Sequence, residues 1–180
     1  MKIKSKELKC QVWKWKLYDI RFYDKKWDYA VVSSDWGRWV VAMVTDSKNN
    51  IALLRIWRHA ILDYSIEFPR WWVEWWESFE KAAVREVVEE FWNMNFVEKV
   101  FLGYLYIDSW LIDHQIGAVL LKVNDFSSYD FWKKEDGSYE NIYEKQYISL
   151  EKFENMIKEN IIKDNFTLSS YAIAKTKGII

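Results

Sequence analysis

The chain has 180 residues, 51% hydrophobic and 29% charged, which suits one soluble domain (1–180) with a sizeable core. A formal net charge of −1 argues against a broad electrostatic footprint for nucleic acid. A single cysteine, Cys10, excludes a disulfide framework within the chain and points to a reducing, cytoplasmic setting, while no stretch approaches the roughly 18 apolar residues of a membrane span.

The start, MKIKSKELKCQVWKWKLYD, is charged throughout and has no apolar core of signal-peptide length. Residues 11–23 and 28–34 read as strands. VVAMVTD (40–46) and IALLRIW (51–57) are apolar and rich in β-branched residues, and the intervening DSKNN predicts a hairpin. The clearest helix covers 78–91. Ser78 is a candidate N-cap, Glu80 suits the first turn, and Ala82, Ala83, Val87 and Phe91 form an apolar stripe. Strands are predicted near 99–107 and 115–123, then a polar loop through 124–141 and a strand near 142–149. Helices over about 150–162 and 167–177 close the chain, the last capped by Asn165 or Thr167. No repeat or linker marks a domain boundary. This order predicts an α/β sandwich with a mixed sheet.

On the 78–91 helix, Glu86 and Glu90 are four residues apart and share a face, with Glu89 beside them. Like charges at this spacing repel, so a cation is a natural neighbour. Hard divalent ions such as Mg²⁺ take carboxylate oxygens and often carry substrate phosphates as well. On spacing alone, a solvated acidic face with Arg85 and Lys81 in surface pairs explains the cluster at least as well.

A longer pattern surrounds these residues. ESFEKAAVREVVEE, from Glu77 to Glu90, resembles the Nudix box: glycine, five residues, Glu, seven residues, Arg-Glu-aliphatic-any-Glu-Glu, one residue, glycine, aliphatic. Glu77, Arg85, Glu86, Val87, Glu89 and Glu90 all match. The box glycines fall on Trp71 and Trp92, and Asn93 stands where an aliphatic residue is usual. LLRIWRHAILDYSIEFPR resembles the segment before the box in ADP-ribose pyrophosphatase-type Nudix hydrolases. YIDSWLIDHQ is similar to their Tyr-Pro-Asp-(Ser/Thr)-Gly loop, with Ile107 on the proline and Trp110 on the glycine, and the end of the chain is similar to theirs as well.

The resemblance implies a Nudix-type α/β/α sandwich with a mixed β-sheet and Mg²⁺-dependent (or Mn²⁺-dependent) hydrolysis of a nucleoside diphosphate linked to another moiety. The leading substrate is a nucleotide sugar, ADP-ribose, giving AMP and ribose 5-phosphate. It implies metal binding by Glu86 and Glu90, with Glu89 in the same catalytic cluster and the backbone carbonyl of Arg70 as a further ligand. Arg85 and Glu77 form a buttressing ion pair. In the late loop Glu140 aligns best with the general base, with Glu135 and Glu144 behind it. Arg58 and Glu67 match positions that contact substrate, and a structural salt bridge is an equal alternative for both. It also implies a homodimer, using the N-terminal strands over about 1–35. Two other readings stay open: a non-catalytic Nudix-fold module that stacks its tryptophans on nucleotide bases, and a Nudix enzyme acting on another nucleotide such as an oxidised triphosphate.

The chain has 13 Trp and 5 Gly, against a usual glycine share of about 7%. Trp71, Trp76, Trp92 and Trp110 all stand where this family has glycine; Trp75 is a weaker fit, since proline or a polar residue is common there, and Trp36 and Trp39 are also suspect, with a genuinely Trp-rich, divergent protein as the alternative. Glycine serves such positions through positive φ or close backbone approach, and tryptophan is among its worst replacements. The pattern predicts that these codons are UGA, which some bacteria read as glycine.

Overall fold

The structure, a computed structural model, describes residues 8–12, 15–24, 28–33, 38–91, 94–112, 114–128 and 142–180. Trp36, Trp92, Asn93, Glu135 and Glu140 lie outside the described residues.

Where a single strand over 11–23 is expected, two are present. β1 (Leu8–Val12), β2 (Trp15–Asp24) and β3 (Asp28–Ser33) form an antiparallel three-stranded sheet in that order. A second sheet holds β4 (Arg38–Thr45), β5 (Ile51–Arg58), β6 (Asp63–Glu67), β7 (Arg70–Trp72), β8 (Glu98–Tyr106), β9 (Gln115–Lys122) and β10 (Ile142–Ile148). Its order is β10-β5-β4-β9-β8, with β6 paired to β5 and β7 paired to β4. β4 and β9 run parallel and every other pair is antiparallel, so the sheet is mixed.

The expected hairpin is present but short-paired. β4 and β5 meet only at Val44–Ala52 and Thr45–Ile51. Beyond that, β4 pairs with β7 and β5 with β6, so the two strands diverge and admit the segment that carries the site.

Strand alternation sends side chains to both faces. Val40, Ala42 and Val44 pack against Ala82, Ala83, Val87 and Phe91 of α1 (Phe79–Phe91). Val41 and Met43 pack against Phe153 of α2 (Leu150–Lys158) and Phe166 and Ala174 of α3 (Asn165–Thr176). A strand buried on both faces reads as an unbroken apolar run, as VVAMV does. The layers are therefore α1, sheet, then α2 with α3.

Helix ends depart from the sequence expectation in two places. α2 stops at Lys158 rather than 162, because Asn160 turns left-handed (φ 57°) and Ile161 N bonds back to Met156 O at 2.9 Å. The cap of α3 is Asp164, not Asn165 or Thr167. No helix among the described residues is long and apolar enough to cross a membrane.

Candidate active site

The acidic helix begins where Ser78 ends its loop. Ser78 Oγ accepts from Lys81 N at 3.3 Å and Ser78 O from Ala82 N at 3.0 Å, which caps the first turn. Ala82, Ala83, Val87 and Phe91 then dock α1 on the sheet. The same docking buries two of the three glutamates. Glu86 is 3% exposed and Glu90 7%, whereas the Glu89 side chain is 58% exposed. A solvated acidic face thus describes Glu89 only. Two carboxylates withdrawn from water on one helix carry a desolvation cost that asks for compensation.

Part of that compensation is Arg85. Its Nε donates to Glu77 Oε1 at 3.0 Å and its Nη2 to Glu77 Oε2 at 3.0 Å, a two-pronged pair. Nη2 also donates to Trp72 O at 3.3 Å, while Nη1 pairs closely with Glu86 Oε1 and stands 3.7 Å from Glu89 Oε1. The fork therefore joins β7, the loop before α1 and the acidic face. Hydrogen bonding to Arg85 holds the Glu77 carboxyl below its ordinary pKa, and the same bond raises that of Arg85. Arg38, which the sequence pattern does not single out, adds a strut. It donates from Nη2 to Glu77 O at 3.3 Å and lies 4.8 Å over the Phe79 ring.

Arg70 opens β7 opposite Val41, but its side chain goes to Asp164 Oδ1 at 3.0 Å. Arg58 and Glu67 are brought together in a close ion pair, and Arg70 Nη2 stands 3.5 Å from the other Glu67 oxygen. Glu67 is fully buried, with both of its oxygens facing arginines. Glu144, one of the two runners-up for general base, faces away from α1. A register shift between Ile142 and Glu144 sets it opposite Arg55, 3.9 Å from Arg55 Nη1. Arg55 stands on the sheet face opposite Leu54 and Ile56, which pack toward α1.

Trp71 lies opposite Val40 on β7, 4.7 Å from Trp72. Trp75 (81% exposed), Trp76 (64%) and Trp110 (74%) project into solvent from loops. None of the four has positive φ, so left-handed backbone is not what marks these sites for glycine.

Among the described residues, no three His, Cys, Asp or Glu side chains form a ready-made metal cage. Mg²⁺ does not need one, since it usually takes one or two carboxylates and completes its shell with water and substrate phosphate. Buried Glu86 and Glu90, with Glu89 at the rim, supply that type of oxygen donor.

No protein-family model matches the chain, and no curated protein does. Solved structures do. One described as an ADP compounds hydrolase is similar over 99% of this chain and 98% of its own, with a TM-score of 0.68 and 14% identity. The fold is the Nudix-type α/β/α sandwich. At that identity the likeness speaks for the architecture, and the activity has to be argued from this chain's own residues.

Proposed function

We propose that this protein is a Nudix diphosphatase. In this reading it hydrolyses a nucleoside diphosphate linked to another moiety, with ADP-ribose the leading substrate and AMP and ribose 5-phosphate the products. The observation that carries the reading is the burial of Glu86 and Glu90 on one helix beside the Arg85–Glu77 fork. A purely structural helix gains nothing from two buried carboxylates four residues apart. A similar architecture in an ADP compounds hydrolase supports it.

Glu86 and Glu90 hold Mg²⁺ or Mn²⁺, and Glu89 lies at the edge of the cluster. When bound, the ion supplies charge neutralisation for the diphosphate and an activated water. Arg85 keeps Glu86 oriented and Glu77 fixes Arg85, a supporting role outside the reacting atoms. Glu140 takes the proton from the water, as the resemblance implies.

The test is AMP release from ADP-ribose with and without Mg²⁺, for the natural chain and Glu86→Gln. Turnover that needs Mg²⁺ and is lost in the variant supports the reading. Activity on an oxidised nucleoside triphosphate instead keeps the chemistry and corrects the substrate. The exposed Trp75, Trp76 and Trp110 favour a second reading, a non-catalytic module that stacks on bases. That reading expects nucleotide binding that is unchanged by Glu86→Gln and no hydrolysis at all.

A further inference from the structure

Three consecutive residues leading into β7 are each tied to a separate partner. Phe68 N donates to Thr167 Oγ1 at 2.9 Å, Pro69 O accepts from Ala42 N at 2.8 Å, and Arg70 Nη1 donates to Asp164 Oδ1 at 3.0 Å. The Arg70 guanidinium also lies 4.8 Å above the Phe166 ring. Asp164 caps α3, its Oδ2 accepting from Thr167 N at 2.9 Å and from Thr167 Oγ1 at 2.8 Å. The bonds close a ring between residues 68–70 and 164–167. Capping α3 needs only Asp164 and the Thr167 N–H. Arg70 is itself mostly buried and its Nη2 also stands 3.5 Å from the buried Glu67, so one guanidinium ties the cap of α3 to the end of β6 and the start of β7.

The clamp grips the first residue of β7. Trp72 O, two residues after Arg70, accepts from Arg85 Nη2, and Arg85 is the group that pairs with Glu86. A guanidinium is a rigid planar fork, so moving one acceptor turns the whole group. We infer that the Asp164–Arg70 pair is a positioning device: it sets β7 against Arg85, and through Arg85 the Glu86 carboxylate. Helix α3 thus orients the acidic helix from the opposite face of the sheet. The inference rests on the proposed role of Glu86 and Glu90 as metal donors.

The experiment is Mn²⁺ binding without substrate, by electron paramagnetic resonance, with the thermal midpoint measured alongside. Asp164→Asn keeps a good N-cap but turns an amide toward Arg70. Mn²⁺ affinity should fall about tenfold, the scale for losing an orienting partner. Arg70→Met should do the same, and the double variant should bind no more weakly than either single one. Unchanged Mn²⁺ affinity in Asp164→Asn, whatever its thermal midpoint, would leave the pair a structural tie and overturn the inference, as would additive losses in the double variant. Absence of Mn²⁺ binding in the natural chain overturns the metal-donor reading, and this proposal with it. That outcome is read on the unaltered protein, so the two failures are distinguishable.

Discussion

Gly117 offers a sharp test of how α1 is seated. It lies in β9 between Val40 of β4 and Tyr104 of β8, and the ring of Phe79, the first residue of α1, rests on it. A Cβ built at Gly117 would stand 2.3 Å from Phe79 Cδ1, 2.7 Å from Cγ and 2.8 Å from Cε1. Favourable carbon contacts lie at roughly 3.5–4.0 Å, so the ring must retreat by more than about 1 Å. It has little freedom to do so. Phe101 and Tyr104 stand 5.6 Å and 5.5 Å from it, centre to centre, and Arg38 lies over its face. Overpacking of this kind costs about 1–3 kcal/mol, or roughly 2–12 °C of thermal midpoint in a domain of this size. The assay is thermal unfolding of Gly117→Ala, followed by the double variant with Phe79→Leu. The smaller side chain should recover part of the loss and give a non-additive cycle. A midpoint for Gly117→Ala within about 1 °C of the parent would refute the claim that Phe79 is fixed there.

Glu86→Gln should lower metal-dependent turnover by more than the ~10–100-fold typical of losing an outer partner, with a small change in thermal midpoint; retained turnover would remove Glu86 from the metal site. Arg85 holds the Glu77 carboxyl below its ordinary 4.5, so the pair stabilises the fold above that pH and is lost as pH falls through the lowered value. Glu77→Gln should accordingly flatten the acid side of a plot of thermal midpoint against pH, and superimposable acid limbs would count against the pair's contribution.

The parts of the fold that were legible share one property, a period that packing did not override. Phe79–Phe91 has a helical stripe and a serine cap, and β4 and β5 have β-branched runs. β6 and β7 were missed because Asp63–Glu67 alternates polar and apolar over only five residues and Arg70–Trp72 is only three residues long; their partners on β5 and β4 make them strands. Within the acidic helix, spacing placed three glutamates together but could not say that docking buries Glu86 and Glu90 and leaves Glu89 in water. The Asp164–Arg70 clamp joins residues 94 positions apart. Its only local trace is an aspartate three residues before Thr167, an ordinary capping pattern. Gly117 left no trace at all, since its role depends on a ring brought from another element.

The tryptophans are where sequence and structure press on each other hardest. Trp75 and Trp76 stand at a loop tip with their rings 5.3 Å apart and most of their surface in water, and Trp110 is similarly exposed. An apolar patch of this kind marks a binding surface or an aggregation liability. Trp39 misfits in the opposite way: its Nε1 is buried with no hydrogen-bond partner among the described residues, although a buried indole N–H normally finds one. Rings too exposed at three sites and an unpartnered buried indole N–H at a fourth fit glycine better than any single use for tryptophan. The prediction is that the codons at 71, 76 and 92 are UGA, as at 110, and that the natural protein carries glycine there. Trp75→Gly with Trp76→Gly should leave the thermal midpoint almost unchanged, because exposed rings contribute little packing, and should reduce self-association in light scattering. With glycine at Trp71 as well, Mg²⁺-dependent turnover should rise above that of the tryptophan form. UGG codons at these positions would make the rings genuine, and the base-stacking module would then become the better account of the loop.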